Sequence, residues 1–191
     1  MRGFFTVLLS MLAALPLAAE LKLAEGGRTD YTVVVAKDAK KLDKQAARDL
    51  AVYLGKITGA KFRVADAAES HRLVVGERAP SDKEPLRRRE RRVRSENGDL
   101  YFYGAGHHGS AFAVYDFLDR LGCRWFSLWG DEYVPKKPEL TLQDPNFSRI
   151  PSFDAYEAGS YVSILMDHPG IRAFMRRNRL FFQISTMSNE Q

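Results

Sequence analysis

A chain of 191 residues, 45% hydrophobic and 28% charged, has room for one ordinary domain of about 100–150 residues plus extensions, with enough apolar content for a real core. Its single cysteine, Cys123, excludes an intramolecular disulfide framework, and apolar neighbours make that thiol read as a small buried hydrophobe rather than a nucleophile. The net charge of +5 is too modest to point by itself to nucleic acid.

Residues 4–18, FFTVLLSMLAALPLA, form an apolar run after Arg2 and before Ala19 and Glu20. The run is too short to span a bilayer and no second span follows it. This is the layout of a secretory signal peptide over residues 1–19, so the protein is expected to be secreted or periplasmic, without membrane contact once the leader is removed. A buried N-terminal helix is the plain alternative, and Leu17 departs from the small residue preferred three places before a cut after Ala19.

Tyr31 to Val35 is a short β-branched strand. In KLDKQAARDLAVYLGKITG, Leu42, Ala46, Leu50, Tyr53, Leu54 and Ile57 recur at three- and four-residue spacings, which predicts a helix with one core-facing stripe, stopped by Gly59. Phe62 to Val64 and Arg72 to Val75 are further strands, the second ending at Gly76. A charged connection, Glu77 to Pro85, follows. Strands near Arg89 to Arg94 and Leu100 to Tyr103 are joined by an Asn97-Gly98 hairpin turn. A helix from about His108 to Leu121 is stopped by Gly122, and Cys123 to Leu128 returns as a strand. Beyond Trp129, prolines punctuate a tail in which Glu139 to Leu142 reads as a last edge strand, and residues 171–184 resume an apolar pattern with no partner elements after them. The expected fold class is an α/β sandwich: a mixed sheet with the two main helices on one face.

Three features invite chemistry. Arg87, Arg88, Arg89, Arg91, Arg92 and Arg94 suggest an anion-binding patch, but alternate strand residues point to opposite sides and Glu84, Glu90 and Glu96 intervene, so the run reads as a solvated edge strand. Gly104, Gly106 and Gly109 spell G-x-G-x-x-G between a strand and a helix. A dinucleotide site needs an acid about 20 residues onward on the next parallel strand, whereas counting from Gly104 reaches Arg124 and Trp125, and the glycines follow a hairpin arm. They read instead as a sharp turn with close helix packing. No lysine follows Gly109, which excludes a P-loop. His107 and His108 diverge on a helix start and find no motif spacing to His71 or His168, so no metal site is assembled. Asp116 and Asp119, three apart beside Arg120, resemble a glycosidic carboxylate pair, but ordinary solvation of a polar helix face explains them. No catalytic, cofactor-binding or metal-ligating residue is assigned, and no cofactor is expected.

The passages RDLAVYLGKITGAKFRV, RLVVGE, GDLYFYGAGHHGSAFAVYDFLDRLGCRWF and YVPKKPEL resemble the N-terminal non-catalytic domain that precedes the barrel in bacterial alpha-glucuronidase-like and beta-N-acetylhexosaminidase-like glycoside hydrolases. The resemblance covers roughly residues 30–155 and is sharpest at Leu54 to Gly59 and at Gly104 to Trp125. Ala105 stands where the pattern has a glycine, Asp119 where it has a glutamate, and Tyr156 where an arginine commonly follows the Pro151–Phe153 linker. The resemblance implies an accessory domain at residues 30–145 and, at 146–191, a linker and the stub of a catalytic (β/α)₈ barrel, with Arg177 to Leu180 resembling its first strand. A complete barrel needs about 250 residues, so the catalytic carboxylates of such enzymes would lie outside this chain, and the barrel would be the domain's partner. The alternative is a free-standing glycan-binding module using Trp125, Trp129, Tyr101 and Tyr103 as stacking surfaces.

Overall fold

The computed structural model describes residues 20–127, 129–152 and 168–180; the expected leader, the Phe153 and Tyr156 linker positions and the end of the chain from residue 181 lie outside the described residues. The strands are β1 (Leu21–Ala24), β2 (Thr32–Val35), β3 (Arg63–Ala65), β4 (Arg72–Val75), β5 (Arg91–Glu96), β6 (Asp99–Gly104), β7 (Arg124–Trp125), β8 (Glu132–Tyr133), β9 (Leu140–Leu142) and β10 (Phe147–Arg149). The helices are α1 (Lys41–Thr58), α2 (Gly109–Leu121) and α3 (Pro169–Arg177).

Six strands make a mixed sheet in the order β10-β5-β6-β4-β2-β3. β3, β2, β4 and β6 run parallel, whereas β5 is antiparallel to both β6 and β10. The strand period of two decides what each face buries. Val33, Val35, Leu73, Val75, Val93, Leu100 and Phe102 face one way and share a core with Leu50, Leu54 and Ile57 of α1 and Ala111, Val114 and Leu118 of α2. Val34, Val74, Tyr101 and Tyr103 face the other way, where Ala79 of the charged connection and Leu86 just after it close over them. Burying an aliphatic chain as fully as Leu50, Leu54 or Leu118, each with no exposed surface, contributes about 1.5–3 kcal/mol. Both helices end as their sequences predict, with Gly59 and Gly122 in the left-handed region at φ 80° and 106°, a conformation that costs a side chain but not glycine.

Several expectations need correction. The arginine run is not a solvated edge: β10 covers β5, and Arg91 and Arg92 are buried. Burial is tolerable because each guanidinium has carboxylates on its own side of the sheet. Of the expected strand Cys123 to Leu128, residues 123–127 do not extend the main sheet: among them Arg124 and Trp125 are strand, paired in a small ribbon with Glu132 and Tyr133, and Leu128 lies outside the described residues. The Glu139–Leu142 edge strand is confined to Leu140–Leu142 and pairs with Leu21–Ala24, away from the main sheet. Its hydrophobic partners Leu21 and Leu23 are buried in the main core. Arg177 to Leu180 is not a strand. Arg177 ends α3, Asn178 caps it, and Arg179 takes φ 57° while the Leu180 amide donates to the Met175 carbonyl at 2.8 Å. That helix begins at Pro169, preceded by His168, whose Nδ1 accepts from the Gly170 amide at 3.1 Å, an arrangement that suits proline's missing donor.

Candidate functional site

The glycine loop is a packing device. A Cβ on Gly109 would lie 2.3 Å from the Gly104 carbonyl carbon, and one on Gly104 would lie 2.7 Å from the Glu90 carbonyl oxygen. Only two glycines let the end of β6 and the first turn of α2 touch backbone to backbone. The Ala105 amide then donates to the Glu90 carbonyl at 2.8 Å, tying the loop to the residue before β5. Beyond this corner His107 is exposed and His108 half-buried, its ring stacked on Phe112 at 5.2 Å. Burial, with His107, Lys40 and Arg89 adding positive charge, lowers the His108 pKa. Among the described residues no group of three His, Cys, Asp or Glu side chains is gathered as metal ligands would be.

Asp116 overturns the solvated-face reading. It is 1% exposed and surrounded by three guanidiniums: Arg91 Nε at 3.1 Å, Arg149 Nη1 at 3.1 Å and Arg179 Nε at 3.2 Å. Arg91 and Arg149 are direct cross-strand partners on β5 and β10, so the sheet register delivers both to one carboxylate. Burial raises the Asp116 pKa while Arg91, Arg179 and Arg149 pull against it. Asp119, one turn on, pairs with Arg124 at 3.1 Å. Two carboxylates so engaged do not make the acid and base of glycosidic chemistry, which needs one group to give up and one to take a proton at a substrate oxygen.

On the opposite face, Arg92 occupies a cage of its own. Its Nε donates to Glu90 at 2.6 Å, its Nη1 to both oxygens of Asp82 at 3.0 Å, and the Tyr103 hydroxyl also donates to Asp82. The Arg92 guanidinium holds the Glu90 carboxyl down at about 2. For Asp82 burial works upward, but the Tyr103 hydroxyl and Arg92 outweigh it and lower the carboxyl to about 2.

The three arginines at the end of the described chain each reach back to a different acid of the domain. Arg176 donates to the Tyr115 hydroxyl at 2.7 Å and to Asp49 at 3.2 Å, and Tyr115 itself donates to the same Asp49 oxygen at 2.8 Å. Arg177 lies over the Tyr53 ring at 5.3 Å and 3.9 Å from Glu132, which also receives the Tyr53 hydroxyl and Lys56. Arg179 completes the Asp116 cluster and lies 3.8 Å from Asp119. With Ile171 and Met175 buried beneath, α3 is clasped onto α1, α2 and the β7–β8 ribbon. Sequence reasoning singled out Asp116, Arg91 and Arg179 for other reasons and passed over Asp49, Tyr115, Glu132, Arg149 and Arg176. A signal was present for Asp116: in GSAFAVYDFLDRL, apolar residues occupy nearly every direction around the helix, leaving no polar face for it to share.

Cys123 has no exposed surface, and burial pushes its thiol up to about 11. Of the four aromatics considered for sugar stacking, Trp125, Tyr101 and Tyr103 are buried, their faces spent on the core; only Trp129 is open, at 82% exposure. Trp125 donates instead to the Tyr53 hydroxyl at 2.9 Å.

No protein-family model and no curated protein matches the chain. Among solved structures, it is similar to a family GH115 4-O-methyl-alpha-glucuronidase with specificity for decorated arabinogalactans, at 16% identity and a TM-score of 0.60 over 84% of this chain and 25% of that one. A mutant Streptomyces plicatus beta-hexosaminidase in complex with its product GlcNAc overlaps 52% of this chain and 18% of that one at 17% identity, with a TM-score of 0.37, too low to carry weight. The first likeness establishes a shared fold, and the chain spans about a quarter of that enzyme's length.

Proposed function

We propose that residues 30–145 form the non-catalytic accessory domain of an exported glycoside hydrolase-like protein of carbohydrate metabolism, and that residues 146–191 lead into a catalytic (β/α)₈ barrel. The observation that carries this reading is the clasp: Arg176, Arg177 and Arg179 seat α3 into Asp49, Glu132 and Asp116, so the end of the described chain is held at a fixed place on the domain. A domain that only binds a ligand has no need of such an anchorage. The reading is supported by the fold shared with a quarter of a much longer alpha-glucuronidase and by the engagement of Asp49, Asp82, Glu90, Asp99, Asp116 and Glu132 with arginine or lysine. The role of the domain is to pack against the barrel and hold it, without supplying acid, base or nucleophile.

The test is turnover. The purified chain is expected to leave aryl glycosides, including aryl glucuronides and N-acetylglucosaminides, at the rate of the buffer blank. Hydrolysis abolished by changing one of its own carboxylates, for example Asp119→Asn, would refute the proposal.

A further inference from the structure

The edge of the main sheet at β3 is open: β3 has β2 as its strand neighbour and no strand on its other side among the described residues. The Thr32 amide donates to the His71 carbonyl, on the β4 side, at 2.9 Å. Backbone groups of successive strand residues point to opposite neighbours, so Val33 turns to β3, and Val64, in register with Val33, turns its own N–H and C=O to the open edge. Edge groups of this kind are a template for a further strand. Beside them runs an open groove between β3 and α1, lined by Val52, Gly55, Ala60 and Val64. Val52 is 54% and Val64 38% exposed, so two aliphatic side chains are left in water along one groove.

Charge decides what fits. Arg48 and Lys61 also line the groove and Arg63 stands on β3; all three are exposed and make no ion pair among the described residues. Lys56, in the same lining, is engaged by Glu132, and none of the lining residues is acidic. A second copy of the chain is the wrong occupant: pairing β3 with β3 would gather the Arg48, Lys61 and Arg63 of both copies along one seam, and like charges facing across a strand pair destabilise it. An acidic strand reverses the sign of each of those contacts. We propose that the β3 edge takes up an extended acidic segment of a partner polypeptide as an added strand. Its main chain bonds to Val64, its apolar side chains lie on Val52 and Val64, and its carboxylates meet Arg48, Lys61 and Arg63. In this mode of recognition the main-chain bonds supply affinity, and the groove and its cations supply the choice of sequence.

The experiment is a fluorescence-anisotropy titration of the full chain into a labelled, end-capped peptide of about nine residues, an ordinary strand length, in which valines alternate with glutamates and each end is a pair of glutamates. The peptide is expected to bind saturably and to weaken as salt screens the charges. Lysine in place of every glutamate is expected to weaken it by at least about tenfold. N-methylation of two consecutive central residues, which removes main-chain donors and keeps every side chain, is expected to do the same. On the protein, Arg48→Glu combined with Lys61→Glu should weaken binding by about tenfold or more. Val64→Pro should do likewise, because it withdraws the outward amide without breaking a bond to β2. Each variant is checked for an unchanged melting temperature, and Trp129→Ala should leave binding unchanged. Absence of binding, equal affinity for the lysine or the N-methylated peptide, or undiminished binding by the folded charge-reversed variant would each overturn the proposal. So would a dimer in sedimentation that Val64→Pro dissolves and the peptide cannot enter, since a second copy would then be the occupant.

Discussion

Asp116→Asn removes one charge from a site where three guanidiniums converge, with almost no change of shape. The arginines respond unequally. Arg149, half exposed, turns toward water at a cost of about 0–1 kcal/mol. Arg179, with 18% of its side chain exposed, is partly relieved. Arg91 is 7% exposed and is left as a buried charge without its carboxylate, for which about 3–5 kcal/mol is the ordinary cost. Its loss therefore dominates, and we expect Asp116→Asn to lower the unfolding free energy by about 3–5 kcal/mol, a large part of the roughly 5–15 kcal/mol that holds a domain together. Urea unfolding followed by circular dichroism at neutral pH measures it, as a lowered midpoint with unchanged slope. A loss below about 1 kcal/mol would refute the reasoning, because it would mean either that Asp116 is solvated or that it is already protonated in the fold, burial having overcome its three partners. Replacing Arg91 together with Asp116 by apolar residues of similar volume should recover most of the loss, since removing both charges removes the desolvation cost as well.

The Arg92 cage predicts acid sensitivity. Glu90 and Asp82 are held at about 2, below their unfolded values of about 4.3 and 3.9, so the unfolded chain takes up protons first as pH falls. Their stabilisation is complete above about pH 5 and is lost as pH falls toward 2; melting temperature measured against pH should fall through that window, and less steeply in Glu90→Gln. At the glycine corner, Gly109→Ala places a Cβ 2.3 Å from backbone and should cost more than about 3 kcal/mol. Gly106→Ala, at φ 79° with nothing within 4 Å, should cost only about 1–2 kcal/mol in the same denaturation assay; equal costs would refute the packing account. Cys123, buried with its thiol pushed up to about 11, should react with an aromatic disulfide reagent only at the rate of unfolding, and fast labelling of the native chain would contradict its burial.

Elements with a period were legible in the sequence. The stripes of α1 and α2, their glycine stops, and strands β2, β4 and β6 follow from spacing and turn chemistry that act within a few residues. What escaped was set by partners distant in sequence. β1 finds its partner in β9, more than a hundred residues onward, and β10 is three residues long and becomes a strand only because β5 offers it a ladder. The arginine run misled for the same reason. Alternation correctly sends Arg91 and Arg92 to opposite faces, but whether those faces are wet depends on Asp116 from α2 and Asp82 from the connection, which no local pattern announces. The glycine loop was judged correctly from context, since the missing acid and the preceding hairpin already argued for close packing. The clasp was not, because Arg176, Arg177 and Arg179 look like surface charge until the acids they meet are in place.

The intact mass of the protein as produced by its native host tests the central claim most directly. We expect a chain lacking residues 1–19 in which the domain at residues 30–145 is followed by a barrel of about 250 residues. A mature product ending at Gln191, with no barrel-bearing chain co-purifying, would contradict it.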